Sequence, residues 1–75
     1  MQIRQFIQYF EENTTIVVRG QKSNPDGTKK FIDLINMKLK DLIEIFGYYN
    51  SILDKNINFG QVTVVDGKVI ITIPE

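Results

Sequence analysis

The chain predicts a two-layer α/β (α+β) sandwich: two helices on one face of a three-stranded sheet, in the order helix–strand–helix–strand–strand, with a C-terminal β-hairpin. Three observations lead there. Thr28–Tyr49 carries apolar residues at helical spacing, Thr14–Arg19 is β-branched almost throughout, and Asp66-Gly67 separates two β-rich runs near the C-terminus. Helix and strand signals that alternate in this way bury all their apolar stripes at once only in a layered α/β arrangement.

Gln2–Glu12 reads as a short first helix, because Ile3, Phe6, Ile7 and Phe10 recur on one face. A helix of this length is marginal alone in water and has to dock that stripe. Asn13 is its expected stop, since Asn tolerates the left-handed conformation in which helices often end. Thr14–Arg19 follows as a strand, and its consecutive Ile16, Val17 and Val18 predict burial on both faces and an interior position. In the next segment Pro25 suits the second position of a turn and Gly27 the fourth. Thr28 then caps a long helix, with Asn24 as an alternative start. At helical spacing Phe31, Leu34, Ile35, Leu39, Leu42, Ile45, Phe46 and Tyr49 form one stripe, and the stem of Lys38 lies along it. A strand reading of the same residues separates neither face cleanly, because Asp33 joins Phe31 and Ile35 while Asn36 joins Ile32 and Leu34. The helix is expected to break near Gly47.

Asp66-Gly67 is a strong signal for a two-residue hairpin turn, whose central residues both need positive φ. It fixes the register: Val65 opposite Lys68, Val64 opposite Val69, Thr63 opposite Ile70 and Val62 opposite Ile71. Val62, Val64, Val69, Ile71 and Ile73 then face the core, and Thr63, Val65, Lys68, Ile70 and Thr72 face water. Pro74 suits the end of a strand or an edge.

The composition bounds function more than it specifies it. Seventy-five residues make a single domain, 1–75, near the lower limit for a core without disulfides or metal. Nine basic residues balance nine acidic ones, so no global field points to nucleic acid or an anionic membrane. The chain has no Cys, which excludes disulfides and fits a cytoplasmic setting, and no His, the commonest general base and metal ligand. No apolar run reaches the length of a bilayer span, and Met1–Phe10 lacks the unbroken apolar core of a signal peptide. The abundance of Ile, Asn, Lys, Phe and Tyr matches AT-rich codons, as in a phage or mobile element. No catalytic, cofactor-binding or metal-ligating set emerges. Asp41 and Glu44 read as surface partners of Lys38 and Lys40.

Two candidate binding regions remain. The first is the open sheet face, Thr63, Val65, Lys68, Ile70 and Thr72, together with Tyr48, which falls off the helical stripe; Tyr49 is expected in the core. An exposed apolar mixture of this kind suits a protein partner. The second is the basic stretch Arg19, Lys22, Lys29 and Lys30, where a strand would lead into a helix N-terminus and its free N–H groups could hold a phosphate. The expected element order resembles part of small nucleic-acid-binding folds of the Alba type, without a diagnostic motif. The sequence thus points to a small non-catalytic protein-binding module, a regulator or inhibitor. A nucleic-acid binder and an oligomeric structural protein are the alternatives. The partners it implies are an unidentified protein or a second copy of the chain, and no membrane.

Overall fold

Residues 1–73 are described by a computed structural model; Pro74, expected at a strand end, lies outside them. The elements are α1 (Ile3–Ile7), β1 (Thr15–Ser23), β2 (Lys29–Lys38), α2 (Leu39–Phe46), β3 (Val62–Val65) and β4 (Lys68–Ile73). Single 3-10 turns at Ser51–Asp54 and Phe59–Gln61 lie between α2 and β3. The α+β class stands, but the sheet is four-stranded and mixed, in the order β2-β1-β4-β3. β1 is antiparallel to β2 and parallel to β4, and β3 is antiparallel to β4.

The largest departure from expectation is β2. Residues Lys29–Lys38 form a strand paired to β1, and only Leu39–Phe46 of the expected long helix is helical. With the helix goes the Alba-type element order. Two local features account for the difference. The first is the turn at Asn24–Thr28. The Gly27 N–H donates to the Asn24 carbonyl at 3.0 Å, the Asn24 N–H donates to the Thr28 carbonyl at 2.7 Å, and Gly27 has φ of 89°. That is a type I turn closed by a left-handed glycine, a standard three-residue hairpin loop. Pro25 and Gly27 occupy the turn positions expected of them, but Thr28 leads into a strand rather than capping a helix. Asp26 fastens the loop, accepting from the Thr28 hydroxyl at 2.6 Å and the Thr28 N–H at 3.0 Å.

The second feature is a β-bulge. Val18 pairs with Ile35 but Arg19 pairs with Asp33, so Leu34 is an extra residue on β2. Ile35 and Met37 point inward on one side of the bulge and Ile32 on the other. The apolar parity therefore switches at Leu34, which is why simple alternation fails on this segment.

One hydrophobic cluster joins the layers. Ile16, Val18, Ile35, Val69 and Ile71 from the inner face of the sheet meet Ile3 and Ile7 of α1, Leu39 and Leu42 of α2, and Leu53. Each such side chain withdrawn from water contributes about 1.5–3 kcal/mol before the entropy of ordering is counted. β1 sits inside the sheet and buries Ile16, Val17 and Val18 as its sequence predicts. The first helix is shorter than expected. After Ile7 the N–H groups of Tyr9 and Phe10 bond three residues back, to Phe6 and Ile7, and the last turn tightens. Phe6 and Phe10 still pack on the cluster, half-buried and edge-to-face at 5.1 Å.

α2 begins where β2 leaves the sheet. The Leu39 and Lys40 N–H groups donate to the Thr14 and Glu12 carbonyls at 2.9 and 3.1 Å, so the α1–β1 connection serves the helix N-terminus. Gly47, with φ of 82°, ends α2 at the break the sequence predicts. The β3–β4 register also agrees pair by pair, and Asp66 and Gly67 have φ of 46° and 76°. Val64 points to the inner side but is 62% exposed, because the helices do not roof edge strand β3.

Candidate functional site

Both α-helices pack on the inner face of the sheet, so among the described residues no α-helix lies over its outer face. Strand alternation puts Phe31 and Asp33 of β2, Val17, Arg19 and Gln21 of β1, Lys68, Ile70 and Thr72 of β4, and Thr63 and Val65 of β3 on that outer face. Val17 is only 6% exposed, shielded at the centre of the sheet, whereas Val65 and Phe31 are 47% and 48% exposed towards the two edges.

Arg19 organises the middle of this surface. Its register partners are Thr72 on β4 and Asp33 on β2. Its Nε donates to the Thr72 hydroxyl at 3.2 Å, and its guanidinium carbon lies 4.5 Å from the centre of the Phe31 ring. A guanidinium stacked on an aromatic face and held by a hydroxyl loses little further freedom on binding a carboxylate. Beside it, a shallow groove of about 290 Å³ runs between Arg19, Phe31, Thr63 and Thr72, with Gly60 and Gln61 as its wall.

The structure therefore joins parts of the two regions that sequence patterning kept apart. Thr63, Val65, Lys68, Ile70 and Thr72 share one face as their register requires, and Arg19 from the basic set lies among them. The remaining cations do not converge. Lys29 shares the outer side with Phe31, whereas Lys22 and Lys30 are register partners on the inner side. No helix begins near them, so the N–H groups on which an anion site was premised are engaged in a hairpin instead. Phe31 was expected in a helix core. The Pro-Asp-Gly loop between two β-rich runs was the signal that could have found it on a strand.

Tyr48 lies apart, beyond α2. It is half-buried at the helix end, whereas Tyr49, expected in the core, is 83% exposed, because the helix ends at Phe46 and the stripe does not continue. The segment after α2 is held by Arg4. Its Nε donates to the Tyr48 carbonyl at 2.7 Å, Nη2 to the Asn50 carbonyl at 3.3 Å, and Nη1 pairs with Asp54. The same guanidinium sits 5.5 and 5.3 Å from the Tyr48 and Tyr49 ring centres. Among the described residues this is the one ion pair; the pairing expected of Asp41 and Glu44 with Lys38 and Lys40 does not form. A groove of about 380 Å³ between α1 and α2 has Tyr48 on its lip and Ile7, Phe10, Leu39 and Ile43 along its walls.

Among the described residues no helix is long and apolar enough to cross a membrane, and no three acidic side chains gather as a metal site would need. No family model, curated protein or solved structure matches the chain.

Proposed function

We propose that the chain is a small non-catalytic protein-binding module, a regulator or inhibitor of the protein it engages, and that it binds through the outer face of the sheet. The observation that carries this reading is Arg19, stacked on Phe31 and held by Thr72 at the middle of a face that no α-helix covers among the described residues. Arginine and aromatic side chains dominate binding energy at protein interfaces, and here they stand among Val65, Ile70 and Thr63. The partner suited to it offers a carboxylate for Arg19 and an apolar surface for Phe31, Ile70 and Val65. The zero net charge of the chain agrees with such a mixed contact better than with a phosphate backbone.

The test is capture of a partner at moderate salt by the wild-type chain and by two variants. Arg19→Ala should weaken the captured complex by about thirtyfold, the scale of a 2 kcal/mol hot spot. Lys22→Ala, on the opposite side of β1, should leave it unchanged. Binding that collapses with salt and tracks Lys22, Lys29 and Lys30 instead would return the nucleic-acid reading and overturn this one.

A further inference from the structure

We propose that the chain forms a homodimer in which the free edge of β2 pairs antiparallel with the same edge of a second copy, about a two-fold axis through Phe31. This goes beyond the reading above and stands whether or not the outer face meets a partner, since it uses the rim of the sheet.

β2 is an edge strand, with β1 on one side only. The orientation of its backbone groups follows from the loop. Asn24 and Thr28 are bonded across the hairpin, so the hydrogen-bonded pairs with β1 continue at Lys22–Lys30 and Gly20–Ile32. The intervening residues, Lys29, Phe31 and Asp33, turn their N–H and C=O groups to the free edge. The regular stretch available there is bounded by the loop before Lys29 and by the bulge at Leu34. Its midpoint is Phe31. Antiparallel pairing about that midpoint puts Phe31 opposite the second copy's Phe31, and each Lys29 opposite an Asp33. All three positions present outward-turned backbone groups, so the two strands exchange hydrogen bonds in register.

Side chains agree with the backbone. Edge lysines normally protect a strand against pairing, because a foreign strand leaves them desolvated without a partner. Here Lys29 is the exception: the two-fold axis brings it an acidic residue on the same face of the sheet, and the pairing yields two equivalent cross-strand ion pairs. Phe31 and Ile32, both exposed in the single chain, would each lose water at the seam. Self-pairing is an isologous contact, closed by its own symmetry, and it would produce one continuous eight-stranded sheet.

Sedimentation equilibrium on the intact chain up to millimolar concentration tests this, with circular dichroism to confirm that each variant folds. Lys29→Asp and Asp33→Lys each convert both ion pairs into repulsions and should raise the dimer dissociation constant roughly tenfold. The double variant Lys29→Asp/Asp33→Lys, which exchanges the charges, should restore wild-type association. Both residues are exposed, so the folded chain should tolerate either change. A wild-type chain that stays monomeric overturns the proposal. So does a dimer indifferent to the single variants, or one that the charge exchange fails to restore.

Discussion

The two antiparallel hairpins of this sheet are closed by different turns, each ending in a left-handed glycine, and are buried very differently. Both loops end in Asp-Gly, and the glycines sit at φ of 89° in the β1–β2 loop and 76° in the β3–β4 loop. β4 lies in the middle of the sheet and presents Val69 and Ile71 to the helices, where both are fully buried. The outer half of β1–β2 runs past the helices, and Ile32 on the inner side and Leu34 at the bulge remain exposed. Turn chemistry decides where a chain reverses; the reach of the helical layer decides how much each hairpin stabilises the fold.

That contrast is broken most directly by truncating one inward residue in each hairpin. Ile71→Ala should cost about 3–4 kcal/mol, since a fully buried isoleucine leaves a cavity in the cluster it shares with the helices. Ile32→Ala should cost less than about 1 kcal/mol, because water already reaches that side chain. Urea denaturation of both variants measures the pair. Equal losses would mean that the outer hairpin is packed as tightly as the sheet centre.

The turns should behave alike where the strands do not. Gly67→Ala and Gly27→Ala should each cost about 1–2 kcal/mol, the penalty of a side chain in left-handed backbone. An added Cβ meets no atom within 4 Å at either position, so backbone strain alone sets the loss. A much larger loss at one of the two, in the same denaturation experiment, would tie that turn to the core and spoil the parallel.

The same contrast explains which parts of the fold the sequence made legible. From Val62 to Ile73 alternation is unbroken around a two-residue turn, so register and faces follow from counting, and Thr63, Val65, Lys68, Ile70 and Thr72 could be assigned to one surface. In β2 the bulge at Leu34 changes parity, and inward residues fall at 32, 35 and 37. It is the outward Phe31, the bulged Leu34 and the inward Ile35 that, followed by the genuine helical positions Leu39 and Leu42, imitate a helix of some twenty residues. The misreading carried the site with it. Arg19 was singled out, but for a helix terminus that does not exist, and Phe31, its stacking partner, was assigned to a core. Arg4 had no sequence signal at all, since its partners at 48, 50 and 54 are brought to it only by the tertiary fold.

A smaller change isolates the bulge. Deleting Leu34 leaves Val18 opposite Ile35 and Arg19 opposite Asp33, so every other pair keeps its register and its face. The cost should be about 1 kcal/mol, the share of a half-exposed leucine, and the nuclear Overhauser contacts between Arg19 and Phe31 should survive. Loss of the fold on this deletion would mean that the bulge is needed to shape the sheet and is more than an insertion into it.

The smallest effect belongs to the β1–β2 loop. Hydrogen bonds from the Thr28 hydroxyl, and then from the Thr28 N–H, hold the Asp26 carboxyl below its ordinary value. A carboxyl depressed in the folded state binds its proton more weakly there than in the unfolded chain. Its contribution is therefore complete above the unfolded pKa and lost as the pH falls through the folded one. Asp26 is fully exposed, so the change in global stability should be slight, and the better measurement is a carboxyl titration by NMR. Thr28→Val removes the hydroxyl and keeps the N–H, so the Asp26 pKa should rise toward its ordinary value. If it does not move, the bond to the side chain is not what closes this loop, and the turn rests on Pro25, Gly27 and its backbone hydrogen bonds.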